Sequence, residues 1–86
     1  MGQLDNKIAI VTGAGGGIGG AIALRFARDG AKIAVAEIDG ETGKSRAAEI
    51  AQQGGQAFSI VTDVTIKKSV EQMVQAALDR WGRIDI

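Results

Sequence analysis

The residues able to do chemistry in this sequence gather in three places. The first is Thr12-Gly13-Ala14-Gly15-Gly16-Gly17-Ile18-Gly19-Gly20, a glycine-dense stretch between an apolar β-branched run (Ile8-Ala9-Ile10-Val11) and an alanine-rich helical pattern. A glycine-rich turn between strand and helix lets backbone N–H groups close on a phosphate, and the helix N-terminus brings partial positive charge to the anion. The second is Glu37, at the end of another apolar run. A carboxylate there accepts hydrogen bonds from ribose hydroxyls and repels a 2′-phosphate. The third is Asp63-Val64, after a third such run. This carboxylate can accept from the adenine amino group while Val64 lies against the ring. Each has a plainer reading when taken alone. Glu37 can be a solvated acid at a strand end, and Asp63 a turn residue before a helix cap. Thr12 can be a β-branched strand residue, a hydroxyl that ties down the loop, or both. The register they share favours a ligand with phosphate, ribose and adenine parts.

Composition removes most other chemistries. The 86 residues include no His and no Cys, so the commonest general base, the commonest metal ligand and any disulfide framework are missing. No metal site is predicted. Ten basic and ten acidic residues cancel and are interspersed, which leaves nucleic acid no landing patch. No apolar run approaches the roughly 20 residues of a membrane span. The Met1–Lys7 start has no leader pattern, and Asn6 stands where a myristoylation motif wants Ser or Thr. A cytoplasmic protein is the expectation. No Gly-Lys-Ser/Thr follows the glycine loop, so a P-loop is excluded.

The elements that must position these residues follow from periodicity. The first strand covers residues 8–11, closed by Thr12; all its residues are apolar, as in a parallel strand buried on both faces. A helix over 18–29 has Ile18, Ile22 and Phe26 every fourth residue, with Ala23 and Ala27 beside them, and Gly30 stops it. Lys32–Glu37 is the second strand. Asp39 is placed to cap a helix over 41–53, with a ribose contact as its alternative role. That helix shows a shallow face of Ala47, Ala48, Ile50 and Ala51 before Gly54-Gly55 ends it. The third strand covers 56–62. Thr65 is expected to cap a helix over Lys67–Trp81, whose face is Val70, Met73, Val74, Ala77 and Trp81. Gly82 stops it, and Arg83-Ile84-Asp85-Ile86 begins a fourth strand. Strands alternating with helices predict an α/β fold: a Rossmann-type parallel sheet with helices on both faces, strand order 3-2-1, and strand 4 beside strand 1. Gly13–Gly19, Glu37 and Asp63 all fall at carboxyl ends of strands, where such sheets bind ligands. At this size a domain buries only about 60% of its unfolded surface. Residues 1–86 are expected to be the N-terminal, incomplete part of one dinucleotide-binding domain, interrupted in strand 4.

Three glycine spacings overlap in the loop. Gly15-x-Gly17-x-x-Gly20 is the general dinucleotide fingerprint. Gly13-x-x-Gly16-x-x-Gly19 has the spacing of extended short-chain dehydrogenases, and Thr12-Gly13-x-x-x-Gly17-Ile18-Gly19 that of classical ones. The loop alone does not choose. With Ala36-Glu37, Thr62-Asp63-Val64-Thr65 and Trp81-Gly82-Arg83-Ile84-Asp85-Ile86 added, the whole chain resembles the classical short-chain dehydrogenase/reductase family. The resemblance implies that Thr12 stabilises the loop and that Gly13, Gly17, Ile18 and Gly19 cradle the pyrophosphate. It implies Glu37 as the ribose acid, one methylene longer than the family's usual Asp, and Asp63 and Val64 at adenine. Gly16 and Ile38 stand where relatives preferring NADP often carry basic residues, so the implied cofactor is NAD. The parent would move a hydride between NAD and a small alcohol or carbonyl substrate, and would be a homo-oligomer. The family's Asn-Ala-Gly stretch and its catalytic Ser and Tyr-x-x-x-Lys have no counterpart here, and the chain has no Tyr. No catalytic residue is therefore assigned, and the chain alone is expected to be inactive. The alternatives are a non-catalytic NAD-binding module and a structural half-domain that associates through its exposed sheet edge and the helix over Lys67–Trp81.

Overall fold

The computed structural model describes residues 3–86; the Met1-Gly2 start, read above for a leader or lipid motif, lies outside them. The elements are β1 (Ile8–Thr12), α1 (Gly17–Arg28), β2 (Lys32–Glu37), α2 (Gly40–Gln52), β3 (Gln56–Val61) and α3 (Lys67–Trp81). They form a three-stranded parallel sheet in the order β1-β2-β3, which is the predicted Rossmann half. β2 runs through the middle, and its Ile33, Ala34, Val35 and Ala36 have at most 1% of their surface exposed. A strand buried on both faces reads as a continuous apolar run, as this one does.

Alternation along the strands separates two faces. Ala9, Val11, Ile33 and Val35 point to one side, where they form a core with Ala23 of α1 and Ile50 of α2. The other side carries Phe58, whose ring centroid lies 5.2 Å from that of Trp81 on α3. The Arg80 guanidinium sits 5.0 Å from the Phe58 centroid, a cation–π arrangement. Helices therefore cover both faces, α1 and α2 on one and α3 on the other. Met73 and Ala77 are the buried residues of α3, as its periodicity predicts.

Three expectations need correction. α1 does not bury Ile18 and Ile22; Ile18 is 81% exposed and Ile22 41%. Its buried residues are Gly20 and Ala23. Gly20 lies about 200° around the helix from Ile18, on the opposite side. The cause is close approach: a Cβ on Gly19 would run into the Gly13 carbonyl oxygen and lie 3.1 Å from the Thr12 oxygen. Only a stripe of small residues lets the axis come so near. Similarly α2 buries Gly43 and Ile50, with Ala47 half-buried, while Ala48 and Ala51 are exposed. Thr65, finally, does not cap α3. The N-cap is Ile66, with no side-chain hydrogen bond, and the Thr65 hydroxyl donates to Asp63 at 2.6 Å instead.

The segment 83–86 lies on the free edge of β1, where the fourth strand was expected. The Ile86 amide donates to the Ile8 carbonyl at 3.0 Å, and the Ile86 carbonyl accepts from the Ile10 amide at 3.1 Å. Those two bonds make one parallel bridge opposite Ala9. Asp85 clamps the start of the same strand: its Oδ2 accepts from the Ile8 amide at 2.8 Å and from Arg83 Nε at 3.0 Å.

Candidate functional site

Register brings the three chemical stretches level. Thr12 pairs with Ala36, and Glu37 with Val61. The ladder continues past the strand ends, with the Gly13 amide donating to Ala36 at 2.8 Å and the Thr62 amide to Glu37 at 3.0 Å. A cleft of about 390 Å³ opens over these carboxyl ends, lined by Thr12, Gly13, Ala36, Glu37, Ile38, Thr62, Asp63, Val64 and Thr65. Thr12, Gly13, Glu37, Asp63 and Val64 thus share one cleft. Gly17, Ile18 and Gly19 do not line it; they form the first turn of α1 beside it. Val64 and Ile38 are 61% and 63% exposed, so the cleft has two apolar side chains available to cover a flat ring.

The geometry of the loop separates the three glycine spacings. Gly13 has φ +65° and Gly17 φ +47°, backbone that side chains rarely adopt. Gly19 is required by the backbone contact described above. Gly16 has extended backbone and nothing within 4 Å of a Cβ, so no local contact demands glycine there. Gly20 is crowded only by a side chain, since its Cβ would lie 2.6 Å from Arg46 Nη2. The spacing with backbone necessity at each glycine is therefore Gly13-x-x-x-Gly17-x-Gly19.

This end of α1 suits an anion. Gly16 is its N-cap, no side chain caps it, and its first turn holds no acidic residue. The amides of Gly17, Ile18 and Gly19 have no acceptor among the described residues. Cβ atoms on Gly13, Gly16 and Gly17 would project into open space. A phosphate meets unpaired N–H groups there and no obstructing side chain.

Arg46 of α2 is a contributor that sequence reading missed. Its Nε donates to the Ala14 carbonyl at 3.1 Å and its Nη2 to the Gly15 carbonyl at 3.2 Å, while its Nη1 pairs with Glu49 at 2.7 Å. In a trans peptide the C=O and the next N–H point opposite ways. Holding those two carbonyls toward α2 turns the Gly15 and Gly16 amides away from it. The Thr12 hydroxyl makes no hydrogen bond among the described residues, and the side-chain ties on the loop come from Arg46.

The acids differ in their engagement. Asp63 Oδ1 accepts from the Thr65 hydroxyl at 2.6 Å and the Thr65 amide at 2.9 Å, which holds its carboxyl below the usual range. The turn role and a ligand role are compatible, because Oδ2 has no partner among the described residues. Asp39 does cap α2, accepting from Glu41 and Thr42 amides at 3.1 and 3.2 Å. Its carboxyl is lowered by the bonds from the Thr42 amide and hydroxyl and then by that from Glu41. Glu37 curls back on its own strand end, with Oε2 accepting from the Ile38 amide at 3.1 Å. No group of His, Cys, Asp and Glu among the described residues is arranged to hold a metal. No described helix is long and apolar enough to cross a membrane.

A parallel sheet with helices on both faces and an open glycine turn at the carboxyl end of β1 is a Rossmann-type nucleotide-binding architecture. The chain belongs to the short chain dehydrogenase family, whose pattern matches residues 7–86. It is 49% identical over 85 residues to the short chain dehydrogenase/reductase astE of Aspergillus oryzae, covering 98% of this chain and 33% of that protein. It is 45% identical to a sorbitol dehydrogenase of Cereibacter sphaeroides, covering 98% of this chain and 32% of that one. The fold superposes on a crystal structure of hydroxysteroid dehydrogenase from Escherichia coli with a TM-score of 0.95 and 41% identity, covering 96% of this chain and 35% of that chain. A 7α-hydroxysteroid dehydrogenase complexed with NADH and 7-oxo glycochenodeoxycholic acid superposes with a TM-score of 0.93 and 40% identity, covering 95% and 32% of the two chains. The chain spans about a third of the length of the curated relatives it matches.

Proposed function

We propose that this chain supplies the NAD(H)-binding portion of an oxidoreductase that moves a hydride between the cofactor and the carbinol or carbonyl carbon of a small substrate. The observation that carries the proposal is one of placement. Glu37, Asp63 and Val64 line one cleft beside a glycine turn that ends in an uncapped helix N-terminus. In this reading the amides at the start of α1 bind the pyrophosphate, with Gly13, Gly17, Ile18 and Gly19 shaping the cradle. Glu37 accepts from the adenosine ribose hydroxyls. Asp63 and Val64 hold adenine, and Thr12 lines the floor. NAD(H) supplies the hydride chemistry when bound; the chain's own residues bind, orient and exclude. The family's catalytic Ser and Tyr-x-x-x-Lys have no counterpart here, so no acid/base role is given to this chain's residues.

Glu37 decides between NAD and NADP. Its carboxylate suits a free ribose diol and repels a 2′-phosphate, and neither Gly16 nor Ile38 offers a countercharge. Titrating the intact protein with NADH and with NADPH tests this. Glu37→Arg is expected to weaken NADH and favour NADPH, moving the ratio of dissociation constants by roughly tenfold or more. An unchanged ratio would remove Glu37 from the ribose site.

A further inference from the structure

Glu37 is one methylene longer than an aspartate, and the structure has cleared room for it. Its Oε1 lies 2.9 Å, and its Cγ 3.0 Å, from the point a Cβ on Gly15 would occupy. The Thr42 methyl lies 2.6 Å from the same point. On the other side, a Cβ on Gly43 would stand 3.3 Å from Glu37 Cβ. The glycine loop, the end of β2 and the first turn of α2 thus close around one side chain. Gly15 does not have the positive φ of Gly13 and Gly17, so its backbone makes no demand for glycine. What demands it is the pair Glu37 and Thr42.

We propose that Gly15 and Thr42 are specificity-determining positions, which together fix where the Glu37 carboxylate meets the cofactor ribose. The proposal rests on the reading of Glu37 given above. A methyl at position 15 cannot share the space with both neighbours. Thr42 is β-branched, stiff at its one χ angle, and its amide is held by Asp39. Glu37 has three rotatable bonds and is held by a single exposed hydrogen bond. Glu37 is therefore the group that moves farther, while the 2.6 Å contact forces the Thr42 methyl and the first turn of α2 to give as well. With alanine at position 15, the shorter aspartate becomes the better acid at position 37.

The test is a mutant cycle on the intact protein, with dissociation constants for NADH and NADPH read by nicotinamide fluorescence. Gly15→Ala is expected to weaken NADH about threefold to tenfold and to narrow its advantage over NADPH, with the circular dichroism spectrum unchanged. Glu37→Asp in the Gly15→Ala background is expected to recover NADH affinity, so the two substitutions are non-additive, as for residues in contact. Should Gly15→Ala not fold, the double variant Gly15→Ala/Thr42→Ser loses the 2.6 Å contact and is read in its place. The Glu37 contact remains there, so a reduced NADH advantage is still expected. Additive effects, or an NADH advantage unmoved by a methyl at position 15, overturn the proposal. Glu37→Ala separates the two levels. If it leaves the NADH-to-NADPH ratio unchanged, the ribose reading itself fails. If it moves the ratio and Gly15→Ala does not, only the role of positions 15 and 42 fails.

Discussion

Single glycines in the loop carry unequal demands, and substitution should rank them. Gly19→Ala drives a methyl into the Gly13 carbonyl. Overpacking of this kind costs about 1–3 kcal/mol. Gly16→Ala meets nothing within 4 Å and, as a change at the α1 N-cap alone, should cost under about 1 kcal/mol. Gly17→Val puts a β-branched side chain at φ +47° and into the anion cradle. Cofactor binding should be lost in that variant; retained affinity would mean that the cradle lies elsewhere in the loop. Thermal melts with an NADH titration read all three. The sequence made Glu37, Asp63 and Val64 visible because each stands at the end of an apolar run, and strand ends share one edge of a parallel sheet. It could not rank the glycines. Positive φ and a carbonyl in the way are properties of backbone geometry, and every glycine looks alike in one letter.

Elements show a similar division. All three strands and all three helices stand where periodicity put them, with ends shifted by a residue at most. The buried face of α1 was illegible. The i, i+4 repeat of Ile18, Ile22 and Phe26 is a stronger apolar signal than the Gly20–Ala23 stripe, yet distance from the sheet decided which side went in. Arg46 was illegible for another reason. On a polar helix it resembles any solvated arginine, and its partners Ala14 and Gly15 lie some 30 residues upstream. Arg46→Met keeps most of the aliphatic stem and removes the donors. Each lost hydrogen bond from a charged group is worth about 1.5–3 kcal/mol at most. NADH should bind about tenfold more weakly while the helix signal in circular dichroism is retained. Equal affinity in the variant would show that the loop holds its shape without α2.

Across the whole molecule, three carboxylates sit at three junctions: Asp39 at the start of α2, Asp63 between β3 and α3, and Asp85 where 83–86 meets β1. Asp85 is lowered first by the Ile8 amide and then by Arg83. With all three lowered in the fold, the sign is fixed. Each stabilises fully above its unfolded value, near 3.9, and ceases to as pH falls through its folded value. The sequence has no His to titrate nearer neutrality. The urea midpoint should stay level from about pH 7 to 5 and fall below about pH 4, and Asp39→Asn, which still caps a helix, should soften that fall. A midpoint already dropping between pH 7 and 6 would contradict this account. The docking of 83–86 on β1 has a kinetic side as well. β2 joins β1, and β3 joins β2, through short crossovers that close soon after each strand emerges. The outer edge of β1 has to wait: its Ile8–Asp85 bond spans 77 positions along the chain. Contacts that distant form late in folding. During synthesis, β1 is made before β2 yet has both of its edges paired after it.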